Sequence, residues 1–240
     1  MPIDPFLLLR AYAIGLFPMS DDREAEDIYW VEPKKRAILP LNGFHLSRSL
    51  ARTIRTDKFR VTVDKDFPAV VQHCAKAAPD RPSTWINHQI EQSYTHLHRL
   101  GFAHSIECWK EGELVGGLYG VSLGRAFFGE SMFTRRTNAS KVALAWLVAR
   151  MRLGGCSLLD CQFMTDHLQS LGAIEIDQRD YQSVLSAALC DVSLTEETEA
   201  LSAGPGVEAE RAFATDLAAA LMVSGPISGQ FISQLLTQTS

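Results

Sequence analysis

Three apolar runs joined by two short polar turns constrain this chain more than any other part of it. "AHSIECW", "LVGGLYGV" and "AFFGESMF" are rich in β-branched and aromatic residues, and the turns between them, "KEGE" and "SLGR", each contain a glycine. Strands so closely connected are predicted to pair antiparallel, as a meander. A helix over "NHQIEQSYTHLHRLG" precedes them. After them come a helix from about Asn138 to Leu153, stopped by Gly154 and Gly155, a short strand "SLLDCQ", a helical turn in "DHLQSLGA" and a helix beginning near Asp180. That order predicts an α+β fold in which helices flank a mostly antiparallel sheet.

Ahead of the meander, "DPFLLLRAYAIG" offers an N-cap at Asp4, Pro5 at the first helical position and Gly15 beyond the end, so it reads as a short opening helix. "FRVTVD" reads as a strand, and "DFPAVVQHCAKA" as a helix starting at Asp66. "PDRPS", at 79–83, places two prolines among short polar residues and marks the expected boundary. It divides the chain into a small N-terminal α/β domain, 1–80, and a second domain, 81–190. Beyond Cys190 the sequence is acidic and rich in small residues, so 191–240 is expected to be a partly ordered appendage with one amphipathic helix over 207–223.

The 240 residues are 46% hydrophobic and 21% charged, which is enough to bury a full core. No apolar run approaches the roughly 20 residues of a membrane span, and "FLLLR" lacks the basic leader of a signal peptide. Five cysteines without C-x-x-C spacing suggest free thiols in a reducing cytoplasm, with no metal and no cofactor expected. The net charge is −5, but it is unevenly spread. Lys34, Lys35, Arg36, Arg48, Arg52, Arg55, Lys58 and Arg60 stand against the single acid Asp57. On a helix capped by Ser47, Arg48, Arg52 and Arg55 form one basic ridge, suited to a phosphate backbone. From charge alone, a solvated helix face reads equally well.

Glu130 is the one carboxylate in "AFFGESMF", and a buried carboxylate needs a partner or a proton. In "LLDCQ", Asp160 and Gln162 project from one face of a strand, where a carboxylate can orient and polarise an amide. "GESMF" departs from the nucleophile elbow G-x-S-x-G at Phe133, which disfavours a serine hydrolase. The meander-helix-strand order suggests the acyl-CoA N-acyltransferase layout. The loop that would cradle a pyrophosphate, "TRRTNASK", contains no glycine.

"AYAIGLFPM", "FHLSRSL", "TWI", "LVGGLYGV", "FFGESMF", "NASKVAL", "LLDCQ", "HLQSLGA" and "RDY" occur in the order seen in the bacterial leucyl/phenylalanyl-tRNA–protein transferases, which this chain resembles from about Asp4 to Leu189. The resemblance implies transfer of Leu, Phe or sometimes Met from aminoacyl-tRNA to the α-amino group of proteins beginning with Arg or Lys, marking them for degradation by the N-degron route. It also implies a C-terminal domain like the acyl-CoA N-acyltransferases (GNAT-like). The alternative is a CoA-dependent N-acyltransferase of that type.

By similarity, Gln162 accepts a hydrogen bond from the attacking amine, Asp160 polarises Gln162, and Leu118, Phe127, Met132, Leu144, Leu147 and Leu159 wall the donor pocket. Taken alone, these apolar residues read as core. The resemblance also places Trp85 and Met19 at the substrate; Trp85 is retained, whereas Met19 replaces a tryptophan that in many relatives stands near the tRNA end. Lys34, Lys35, Arg36, Arg48, Arg52 and Arg55 are expected at the tRNA, and Glu130, the third expected catalytic residue with Asp160 and Gln162, at the acceptor. A monomer is expected.

Overall fold

The computed structural model describes residues 1–77, 83–190 and 228–237. The expected boundary at 79–83 lies almost wholly outside the described residues, and the helix expected over 207–223 lies wholly outside them.

Nine strands and eight α-helices are described. In chain order they are α1 (Pro5–Ala13), β1 (Phe17–Met19), β2 (Tyr29–Val31), β3 (Lys35–Ile38), α2 (Arg48–Arg55), β4 (Arg60–Val63), α3 (Phe67–Ala75), α4 (His88–Arg99), β5 (Ala103–Lys110), β6 (Glu113–Leu123), β7 (Ala126–Thr134), α5 (Ala139–Leu153), β8 (Leu158–Gln162), α6 (Asp166–Gln169), β9 (Ile174–Asp177), α7 (Gln178–Ala188) and α8 (Gly229–Thr237).

The meander forms as its turns dictate. Glu111 and Gly112 both take positive φ between β5 and β6, and Gly124 does so between β6 and β7. Caps act where they were expected, with Asp4, Ser47 and Asp66 each accepting from a backbone N–H of the first turn that follows.

Seven strands form one sheet in the order β4-β5-β6-β7-β8-β3-β9, and β1 pairs with β2 alone. Only β7 and β8 run parallel, joined through α5; every other pairing is antiparallel. The sheet is therefore mixed, and it runs across the division expected at residue 80. β4 pairs with β5, and β3 lies between β8 and β9, so strands from both sides of residue 80 share one sheet.

Successive residues supply opposite faces, as the pleat requires. Phe128 and Leu158 join the apolar cluster that includes α1, α3, α4 and α7. Phe127 and Leu159 join the cluster that includes α2, α5 and α8. Gly120 is fixed by this packing, because a Cβ there would sit 2.2 Å from the Phe128 carbonyl oxygen and 2.4 Å from the Phe127 ring.

Candidate functional site

The site opens where the two parallel strands part. β7 and β8 pair only from Ala126↔Leu158 to Phe128↔Asp160. Beyond that point β7 stays with β6 while β8 stays with β3. The gap is a cleft of about 620 Å³, within the size range of small-ligand sites. Leu118, Met132, Leu144, Leu147 and Leu159 form its apolar lining, Glu130 and Gln162 supply polar groups, and Trp85 borders it.

Five of the six predicted pocket walls thus meet in one cavity, together with two of the three predicted catalytic residues. Phe127 is the exception. It is 1% exposed and its ring lies over Gly120 in the core. Met19 also lies outside the cleft lining. It sits half-buried in β1 beside Ser20, which bonds to the Trp85 carbonyl.

Asp160 is fully buried and lies behind the cleft rather than in it. Arg36 grips its carboxylate through Nε, at 2.9 and 3.0 Å, and through Nη2, at 2.6 Å, and the Tyr181 hydroxyl donates to it at 2.7 Å. Phe17 and Tyr181 hold the guanidinium between their rings, with its carbon 4.7 and 4.6 Å from the two centroids. Burial works against the Arg36 charge, but the hydrogen bonds and charge of Asp160 outweigh it and hold the group above its ordinary value. This corrects the expectation that Arg36 meets tRNA, because a side chain 1% exposed and committed to a buried carboxylate cannot reach a phosphate.

Asp160 acts on Gln162 by a different route from the one expected. Its Oδ1 accepts the Gln162 backbone N–H at 2.8 Å, whereas the Gln162 side-chain Nε2 donates to Glu130 Oε1, also at 2.8 Å. Gln162 has φ of 63°, a left-handed conformation unfavourable for a residue with a Cβ. The Arg36–Asp160 pair thus steadies a strained turn of backbone, and Glu130 sets the amide. With Nε2 directed at Glu130, the amide oxygen turns away from it as an acceptor.

Glu130 also meets the hydroxyls of Tyr12 from α1 and Tyr94 from α4, each at 2.7 Å. Burial pushes its carboxyl up to about 7, against the hydrogen bonds from the two tyrosines. Neither tyrosine was singled out in the sequence. The rim was also missed. Phe163 is 46% exposed at the cleft edge. Arg135 donates to His73 Nδ1 at 3.0 Å. Burial first, then the charges of Arg135 and Lys76, lower the His73 pKa; burial and Lys141 do the same to His167.

On the basic ridge, Arg48, Arg52 and Arg55 are exposed while Leu50 and Ile54 bury the opposite face of α2. Lys34 and Lys35 are also exposed. Among the described residues, none of these cations takes part in an ion pair.

Fold and cleft together define a mixed α/β protein whose cleft joins an apolar wall to an amide and a carboxyl group. Residues 38–186 match the family model described as leucyl/phenylalanyl-tRNA protein transferase, and residues 1–34 match the model for that family's N-terminal domain. The chain belongs to the leucyl/phenylalanyl-tRNA protein transferase family.

A leucyl/phenylalanyl-tRNA–protein transferase of Rhizorhabdus wittichii is 62% identical over 250 residues, covering 99% of each chain. One of Zymomonas mobilis subsp. mobilis is 63% identical over 196 residues, covering 82% of this chain and 73% of that one. Among solved structures, L-PGS from Bacillus licheniformis overlays with a TM-score of 0.36 at 14% identity, over 67% of this chain and 53% of that one, too loosely to bear on the fold. Among the described residues, no helix is long and apolar enough to cross a membrane.

Proposed function

We infer that this chain transfers a leucyl or phenylalanyl group, and less often methionyl, from aminoacyl-tRNA to the α-amino group of proteins that begin with Arg or Lys. One observation carries the reading: an apolar wall of Leu118, Met132, Leu144, Leu147 and Leu159 shares a single cleft with Gln162 and Glu130. An apolar side chain can be buried against the first, while an attacking amine meets a hydrogen-bond acceptor in the second.

The ester of an aminoacyl-tRNA is already activated, so catalysis here is chiefly placement. Holding the ester and amine in attack geometry accounts for much of the barrier reduction. Gln162 touches the amine through its amide oxygen. Asp160 and Arg36 are positioning residues behind it. The acceptor's N-terminus lies toward Glu130, and the exposed Arg48, Arg52 and Arg55 contact the phosphates of the acceptor stem.

The scaffold reading accompanies this one. The β5–β6–β7 meander followed by the β7–α5–β8 crossover supports a catalytic part built like the acyl-CoA N-acyltransferases. The work is cytoplasmic, where aminoacyl-tRNA is made and where the five free cysteines stay reduced.

The test is direct. The purified chain is mixed with labelled Leu-tRNA and a peptide with N-terminal Arg, beside the same peptide acetylated at its N-terminus. Label is expected on the free peptide only. Acetyl-CoA as donor, in place of Leu-tRNA, is expected to leave the peptide unmodified. No label from Leu-tRNA, or acetylation from CoA, overturns the assignment.

A further inference from the structure

Glu130 closes a ring with two tyrosines. Oε1 lies 2.7 Å from the Tyr12 hydroxyl, Oε2 lies 2.7 Å from the Tyr94 hydroxyl, and the two hydroxyl oxygens are 2.5 Å apart. Oxygen pairs this close are hydrogen bonds, each with a proton between its atoms. Three such bonds require three protons. The tyrosines supply two and do not readily lose them, because burial first, and then the Glu130 charge, holds both hydroxyls well above their ordinary range. The third proton has one remaining source, the carboxyl itself.

We propose that Glu130 rests as a neutral carboxylic acid, its proton held in a closed relay with Tyr12 and Tyr94, and that these two tyrosines are positioning residues for that proton. Gln162 sets the direction of the relay. Its Nε2 donates to Oε1, which marks Oε1 as the carbonyl oxygen, accepting from Tyr12 as well. Oε2 then bears the proton and donates to Tyr94, and Tyr94 donates to Tyr12. Reversing the circuit would leave Gln162 donating to the acid's own hydroxyl oxygen, a poorer acceptor.

The surroundings agree. Behind Glu130, Asp160 on β8 and Arg36 on β3 are paired and largely offset one another. Tyr119 on β6 packs edge-on against Tyr94, and His73, Lys76, Arg135 and His167 line the cleft. Glu130 itself stands at about 7, chiefly through burial. A neutral Glu130 leaves this wall polar but uncharged, which suits both an apolar donor side chain and an uncharged amine. While it holds this proton, Glu130 is not the base for that amine. The protonation of the ring is inferred independently of the proposed reaction, and its test uses no substrate.

The full chain is prepared with carbon-13 in the glutamate δ and tyrosine ζ positions and titrated by NMR from about pH 5 to about pH 9, the window that brackets a raised carboxyl. Glu130 is assigned by the signal missing from Glu130→Gln. The δ-carbon is expected to be that of a neutral acid at the low end and to titrate near neutrality. The ζ-carbons of Tyr12 and Tyr94 should move with the same midpoint, because on ionisation the Tyr94 hydroxyl turns from Tyr12 to donate to the carboxylate, and Tyr12, which donates to Oε1 throughout, loses the bond it accepted from Tyr94. In Tyr94→Phe, Tyr12 has no accepted bond from residue 94 to lose, so its ζ-carbon should stop following. A carboxylate already ionised at the low end overturns the proposal. So does a Glu130 titration that leaves both wild-type tyrosine signals unmoved. Should Tyr94→Phe fail to fold, the wild-type titration decides alone.

Discussion

Lys34, Lys35 and Arg36 follow one another with the same charge, and the structure gives them different work. Lys34 and Lys35 are exposed, while Arg36 is 1% exposed and locked to Asp160. Removing one member of a buried pair leaves the other charge without compensation, at a cost of about 3–5 kcal/mol. Arg36→Met should therefore lower stability by about that much in urea unfolding, whereas Lys35→Ala should change it by less than about 0.5 kcal/mol. Comparable effects from the two would mean that Arg36 is not the buried counter-ion described above. Glu130 yields a prediction of opposite sign to the usual buried carboxylate. Its folded value of about 7 lies above the ordinary 4.5, so the folded state keeps a proton that the unfolded chain has released. The associated stability is complete below about 4.5 and is lost as the pH rises through about 7. Glu130→Gln cannot titrate. The stability of this variant relative to wild type should rise by roughly 2–3 kcal/mol between pH 5 and pH 8, since a tenfold change in proton affinity is worth about 1.4 kcal/mol. A pH-independent difference would count against a raised carboxyl.

α8 is an element that sequence reading did not anticipate. It lies within the acidic appendage, yet Ile232 and Leu236 are buried in the cluster that includes Leu50, Ile54 and the apolar residues of α5. Gly229 permits the approach. Its N–H donates to Asp57 at 2.8 Å, and a Cβ at this position would fall 1.8 Å from the Ile54 carbonyl oxygen. Gly229→Ala should therefore loosen α8 from α2, seen as faster hydrogen exchange of the α8 amides and a melting midpoint lower by a few degrees, at roughly 2–4 °C per kcal/mol for a chain of this size. Unchanged exchange would show that this close approach is not needed for docking. Elements with strong local signals were legible in the sequence: the meander from its glycine turns, α1 and α3 from Asp-Pro and Asp-Phe-Pro starts, and the end of α5 from paired glycines. The strands that escaped notice, β1, β2, β3 and β9, are three or four residues long and too short for alternation to register. β3 matters most among them, since insertion between β8 and β9 is a tertiary event that carries Arg36 beneath the site. Gln162 and Glu130 were visible as polar residues in apolar strands. Tyr12 and Tyr94 were not, because tyrosines on helix faces reveal their need for a partner only after burial.

At the scale of the molecule, two sets of exposed cations matter to the proposed donor, one at the cleft and one outside it. The rim has Arg135 among the residues that line the cleft, and α2 carries Arg48, Arg52 and Arg55 on its exposed face. Asn138, at the entry to α5, bonds to Thr53 of α2 at 3.4 Å, which connects the two regions. Across a chain of net charge −5, such concentration is useful to a polyanion and would merely repel a cationic acceptor that arrived along the same path. A tRNA whose esterified end enters the cleft would bring its terminal phosphates past Arg135 and its duplex stem past α2. Donors of increasing length separate these two regions: a leucyl methyl ester, a leucyl ester of a short single strand, and Leu-tRNA. Arg48→Glu with Arg52→Glu should raise KM for Leu-tRNA at least tenfold while leaving the first two donors within about twofold. Cations of this kind act by counterion release, so the salt dependence of KM for Leu-tRNA should become shallower in this variant by up to about 0.9 in logarithmic slope for each phosphate that is no longer neutralised. Arg135→Ala should weaken the single-strand ester and Leu-tRNA together and spare the methyl ester, which carries no phosphate. If either variant slows all three donors equally, its charge serves the cleft itself and not the path of the polyanion.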